Sequence, residues 1–135
     1  MIGIHNAFKP VLIQEYNDKF ELLVVEAKVG NKELRIISGY GPQKNWPIED
    51  RTPFFEALEE ELIKAELAGK TVFIEIDANS KLGCQIIPKD KHKQTPNGRL
   101  LAGVINRQRL IVGNSLENKC SGSITRKRIT STSLI

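Results

Sequence analysis

Cysteine and histidine are scarce. Cys84 and Cys120 stand far apart, and only His5 and His92 could join them as ligands. Without a Cys-x-x-Cys pair a structural zinc site is not expected, and reduced thiols in an intracellular protein are the simplest account. No apolar run approaches the ~18 residues that a membrane-spanning helix needs. The start, Met-Ile-Gly-Ile-His, has neither the basic segment nor the apolar stretch of a secretion signal. Repeats, low-complexity tracts and dividing linkers are missing too, so residues 1–135 read as a single unit. A charge of one sign is also missing, because 16 acids accompany 20 bases and leave a net +4.

What is present is the make-up of a folded domain, 40% hydrophobic and 27% charged. Bases gather at Lys89, Lys91 and Lys93, and again at Arg126, Lys127 and Arg128. Such clusters either face solvent or steer a polyanion. Residues 10–16, 20–29 and 34–40 are rich in β-branched types and separated by Asn17-Asp18-Lys19 and Gly30-Asn31-Lys32. They predict consecutive antiparallel strands joined by short turns.

Thr52-Pro53 then predicts the opening of a helix, with a capping side chain before a first-turn proline. Phe54, Leu58, Leu62 and Ala65 form its apolar stripe, widened by Phe55 and Ile63, while Glu56, Glu59, Glu60 and Glu61 face away. Gly69 ends it. Residues 71–77 predict a strand that is mostly apolar on both sides and therefore central in a sheet. A long loop occupies 78–96, and loops of that length are usually functional or mobile. A second helix over 97–107, a short strand over 110–114 and a further strand near 123–130 complete a mixed α/β pattern of helices over sheet.

Chemistry-bearing residues fall at strand ends. Asp77 and Asn79 form an Asp-x-Asn step after the strand 71–77. A carboxylate there can take a proton from water or hold a cation, and a carboxamide can contact a phosphate oxygen without adding charge. On spacing alone a turn is the plainer reading, since both residue types favour turns. Tyr40-Gly41-Pro42 ends the third strand similarly, where a phenol either donates to a substrate or packs at the rim.

Taken in order, Ile-Ile-Ser-Gly-Tyr40-Gly-Pro42, the acidic helix, Phe-Ile-Glu-Ile-Asp77-Ala-Asn79-Ser-Lys-Leu-Gly83, Asn97-Gly98-Arg-Leu-Leu101 and Leu-Ile-Val-Gly-Asn114 resemble the endonuclease/exonuclease/phosphatase family. The likeness is greatest to endonuclease domains of non-LTR retrotransposons. It implies an α/β fold: a four-layer α/β sandwich of the abasic-site endonuclease type, here partial and incomplete at both ends. It also implies magnesium-dependent cleavage of phosphodiesters in nucleic acid, DNA more than RNA, in an intracellular or nuclear setting. By resemblance Asp77 orients the attacking water, Asn79 binds the scissile phosphate and Tyr40 assists there. Asn114 lies near the substrate, and Ser133 opens a Ser-x-Ile-Asp strand.

The family's metal-binding Glu and catalytic His have no match, so no residue is assigned to metal and the chain is expected to be inactive alone. Ile76 stands where the family commonly has Gly. Self-association through exposed sheet edges is expected. A non-catalytic nucleic-acid binder and a phosphatase of the same fold are the alternatives.

Overall fold

The computed structural model describes residues 3–16, 18, 20–88, 90–113 and 132–134. Strands β1 (Val11–Tyr16), β2 (Glu21–Val29) and β3 (Lys32–Tyr40) form the expected antiparallel meander. Helix α1 (Ile48–Leu67) carries the chain back so that β4 (Thr71–Asp77) pairs parallel to β3. Helix α2 (Pro96–Arg107) follows, and β5 (Thr132–Leu134) pairs antiparallel with β4. The sheet order is β1-β2-β3-β4-β5.

One face of the sheet carries the core. Leu22, Val24, Ile37, Ile74 and Ile76 meet Phe54, Leu58 and Leu62 of α1 and Leu101, Val104 and Ile105 of α2 in one buried cluster. The opposite face alternates with it, as strand geometry requires. It bears Leu23, Val25, Leu34, Ile36 and Phe73, of which Phe73 is 37% exposed. The strand 71–77 is therefore paired on both edges but buried on one face only, with Thr71, Phe73 and Glu75 exposed.

Several expectations change. Helix α1 begins at Ile48 rather than near Thr52, and Pro53 lies inside it. Glu49 and Asp50 in the first turn suit the positive helix end. Thr52 is not a cap: its hydroxyl donates back to the Ile48 carbonyl at 2.8 Å. Glu61, placed on the outer face by periodicity, is buried, while Ile63 is 43% exposed. Of the strand expected over 110–114, only Val112 makes a bridge among the described residues. The region 123–130 lies outside the described residues.

Glu61 turns inward because it has polar partners there. The Arg35 guanidinium reaches its Oε2 at 3.4 Å and Glu26 Oε1 at 3.2 Å. The Tyr16 hydroxyl donates to Glu61 Oε1 at 3.1 Å, and Lys64 Nζ lies 2.9 Å from the same oxygen. Burial and this bond to a carboxylate both push the Tyr16 phenol above its ordinary range. A buried charge stripped of its partner is costly, whereas an exposed pair contributes little. Arg35→Met should therefore lower stability by about 2–4 kcal/mol and Lys64→Met by less than about 1 kcal/mol in urea unfolding. Equal losses would show that the pair is not electrostatically isolated from solvent.

Candidate active site

Parallel strands end at the same edge, and the carboxyl ends of such strands are where open α/β sheets bind ligands. Tyr40 and Asp77 are direct register partners across β3 and β4. Glu21 is in turn the β2 partner of Tyr40, so Glu21, Tyr40 and Asp77 form one row across three strands. Sequence reasoning missed Glu21, because its place in the row depends on pairing rather than on any local motif.

Beyond the row the two chain ends are stitched together. The Gly41 amide donates to the Asp77 carbonyl at 2.7 Å, and Asn79 Nδ2 donates to the Gly41 carbonyl at 3.0 Å. The Asn79 amide donates to Asp77 Oδ1 at 3.0 Å in an Asx-type turn. Asn79 adopts φ 45°, a left-handed conformation that Asn tolerates better than most residues. The expected turn is present at this step. Gly41 sits close to the neighbouring chain: a Cβ there would lie 3.1 Å from Ala78 Cα and 3.2 Å from the Asp77 carbonyl, so either neighbour would have to shift slightly.

The group that locks both ends is Asn97, 1% exposed in the first turn of α2. Its Nδ2 donates to the Pro42 carbonyl at 2.8 Å and lies 3.3 Å from that of Ala78. Arg51 of α1 donates to its Oδ1 at 3.3 Å. Asn97 does not cap the helix. Thr95 does so instead, accepting from the Gly98 amide at 3.2 Å.

These contacts leave definite groups free. Asn79 Nδ2 has a second hydrogen beyond the one given to Gly41, and Asp77 Oδ2 and the Tyr40 hydroxyl carry no hydrogen bond among the described residues. Tyr40 is 46% exposed. It lines two open clefts of about 260 and 500 Å³, shared with Glu21. The smaller adds Asp18, Gln43 and Trp46, and the larger adds Glu15 and Ser38. Ser133 lies opposite Glu75 in the β4–β5 register, and Asn114 lies outside the described residues. Among the described residues no group of three or more His, Cys, Asp or Glu side chains could hold a metal ion.

The loop over 78–95 continues from this site and is tied across its neck. The Thr95 amide donates to the Lys81 carbonyl at 3.1 Å, and the Lys81 amide to Thr95 Oγ1 at 3.0 Å. The Lys81 carbonyl packs so closely on Gly98 that a Cβ there would come within 1.9 Å of it. Inside the loop Asp90 is buried. It accepts from the Gly83 amide at 3.0 Å and the His92 amide at 2.9 Å, with His92 Nδ1 at 2.8 Å. Burial opposes its ionisation, yet the N–H donors of His92 and Gly83 outweigh burial and hold the carboxyl below its usual range.

No family model matches the chain. A search of curated proteins likewise finds no match. Among solved structures the chain is similar to the endonuclease domain of TRAS1, a telomere-specific non-LTR retrotransposon, with a TM-score of 0.55 and 16% identity. The match covers 93% of this chain and 53% of that one, so the chain spans about half the length of its structural neighbour. The likeness is one of fold and agrees with an endonuclease-like α/β architecture.

Two outcomes test this geometry. Asn97→Ala should cost about 1–3 kcal/mol, since it strands buried carbonyls, and should speed hydrogen exchange at the Gly41 amide. Unchanged exchange there would remove Asn97 as the lock. For Asp90 the folded pKa lies below the unfolded value of about 3.9, so its contribution is full above that pH and lost as pH falls through the folded pKa. Asp90→Asn should thus lose about 1–2 kcal/mol at pH 7, with the deficit shrinking below about pH 4. A deficit undiminished at pH 3 contradicts the clasp.

Proposed function

We propose that the chain is part of a phosphodiesterase domain of the endonuclease/exonuclease/phosphatase kind acting on nucleic acid, with Asp77, Asn79 and Tyr40 as its reaction-facing groups. The observation that carries this reading is their convergence at the ends of two parallel strands, in a fold similar to that of a retrotransposon endonuclease domain. In this reading Asp77 Oδ2 accepts a proton from, or orients, the attacking water. The unused Asn79 N–H binds a non-bridging phosphate oxygen, and the Tyr40 hydroxyl donates to a second. Asn114 and Ser133 are assigned supporting contacts to substrate.

The half-exposed sheet face bearing Phe73, Leu34 and Ile36 is the surface on which we place the second sheet of a four-layer sandwich. Left uncovered, it favours self-association. DNA is the substrate we favour over RNA, with an intracellular and nuclear location to match. Magnesium is the cation proposed for the complete domain. No step here is assigned to a metal. A second reading is a nucleic-acid-binding remnant without catalysis, since the family's metal-binding Glu and catalytic His have no match in the sequence.

Losing one positioned acid–base or electrostatic group typically lowers a rate by about 10² to 10⁴. The purified 135-residue chain in magnesium or manganese should therefore nick supercoiled plasmid no faster than its Asp77→Ala variant. Metal-dependent nicking that vanishes in Asp77→Ala would show that the chain is catalytically complete.

A further inference from the structure

Several bases near the helices and the start of the sheet have acidic partners, while Lys9, Lys28, Lys32, Lys44 and Arg109 are exposed and make no ion pair among the described residues. Arg35 is matched to Glu26 and Glu61, Lys64 to Glu60 and Glu61, Lys70 to Glu26 and Glu33, and Arg107 to Glu59. The loop beside the candidate site gathers unpaired bases around a single acid that is itself occupied. Lys81, Lys91 and Lys93 are exposed there, as is Arg99 on the adjoining first turns of α2, and none of the four makes an ion pair among the described residues. The segment 78–95 contains a single acid, Asp90, and that carboxylate is buried and occupied by the Gly83 and His92 donors. The loop thus turns its negative charge inward and its positive charge outward.

Its position is fixed as well. The two legs are held side by side by Lys81 and Thr95, and Gln94 Nε2 donates to the Leu82 carbonyl at 3.0 Å. Half-buried Ile86 and Ile87 pack the far part of the loop against the core. Lys81 follows Asp77 by four residues, which an extended chain spans in at most about 14 Å. A polyanion held by this rim therefore passes close to Asp77 and Asn79.

We propose that the loop over 80–95 is a docking surface for the sugar–phosphate backbone of nucleic acid, formed by Lys81, Lys91 and Lys93 with Arg99 at its border. It rests on the nucleic-acid reading above and adds where the strand lies. The contacts are to phosphate rather than to bases, so they position the strand without reading its sequence. Flexible lysines on a tied frame suit that role: each acts as a point charge, while the frame limits the entropy lost on binding.

Binding to a fluorescent DNA duplex of mixed sequence, measured by anisotropy in EDTA over a range of potassium chloride concentrations, tests the surface apart from catalysis. Neutralising three phosphate contacts removes about 0.9 per contact from the slope of log K against log salt. The Lys81→Gln, Lys91→Gln, Lys93→Gln triple variant should therefore have a slope shallower by about 2 to 3. The Lys→Arg triple at these positions should keep the original slope. A control triple, Lys9→Gln, Lys28→Gln and Lys32→Gln, removes the same charge from exposed positions at the other end of the sheet and should leave the slope unchanged. Equal changes in the loop and control triples, or an unchanged slope in the loop triple, overturn the docking surface and leave the nucleic-acid reading standing. No binding by the unaltered chain at low salt overturns both.

Discussion

Twenty residues of helix lie between β3 and β4, and that crossover makes the two strands parallel rather than antiparallel. Parallel pairing brings both carboxyl ends to one edge, and its register sets Tyr40 opposite Asp77. Every feature of the candidate site depends on this constraint. A slip of one residue would turn Asp77 to the helix face and Ile76 outward, exchanging a polar rim for an apolar one. The register resists such a slip because Ile37, Ile74 and Ile76 are committed to the core beneath α1.

Polar groups guard the two ends of this arrangement in different ways. Near α1 the sheet is secured by charge, through Arg35, Glu61 and Glu26, with Tyr16 bringing in the edge strand. At the site end the lock is neutral. Asn97 satisfies carbonyls from both strand extensions without placing a charge beside Asp77. A lysine there could make similar bonds, but its positive charge would stabilise a nearby ionised carboxylate and weaken it as the base that the proposed chemistry needs. A carboxamide fixes the geometry and leaves the Asp77 electrostatics to solvent and substrate.

The similarity to a retrotransposon endonuclease domain at 16% identity shows that this fold tolerates wide change in sequence. Fold alone does not assign function. The functional reading rests on which atoms remain unused once the local hydrogen bonds are counted: Asp77 Oδ2, one Asn79 N–H and the Tyr40 hydroxyl. The basic loop adds a reason for an anionic partner to reach those atoms, since its one acid is spent internally.

By itself the sequence determined the meander, both helices, the strand leading to Asp77 and the residue types at the strand ends. Each leaves a local trace in periodicity, turn residues or the Asp-x-Asn step. Tertiary structure alone decided the rest, because those features depend on partners distant in the chain. Glu61 is buried against the outward pull of its charge only because Arg35, 26 residues earlier, waits inside. Glu21 joins the row of Tyr40 and Asp77 through two strand pairings, and Asn97 becomes a lock rather than a cap because carbonyls 55 and 19 residues away converge on it. Local patterns specify which faces are apolar and where chains turn; which polar groups meet is fixed only when those faces pack.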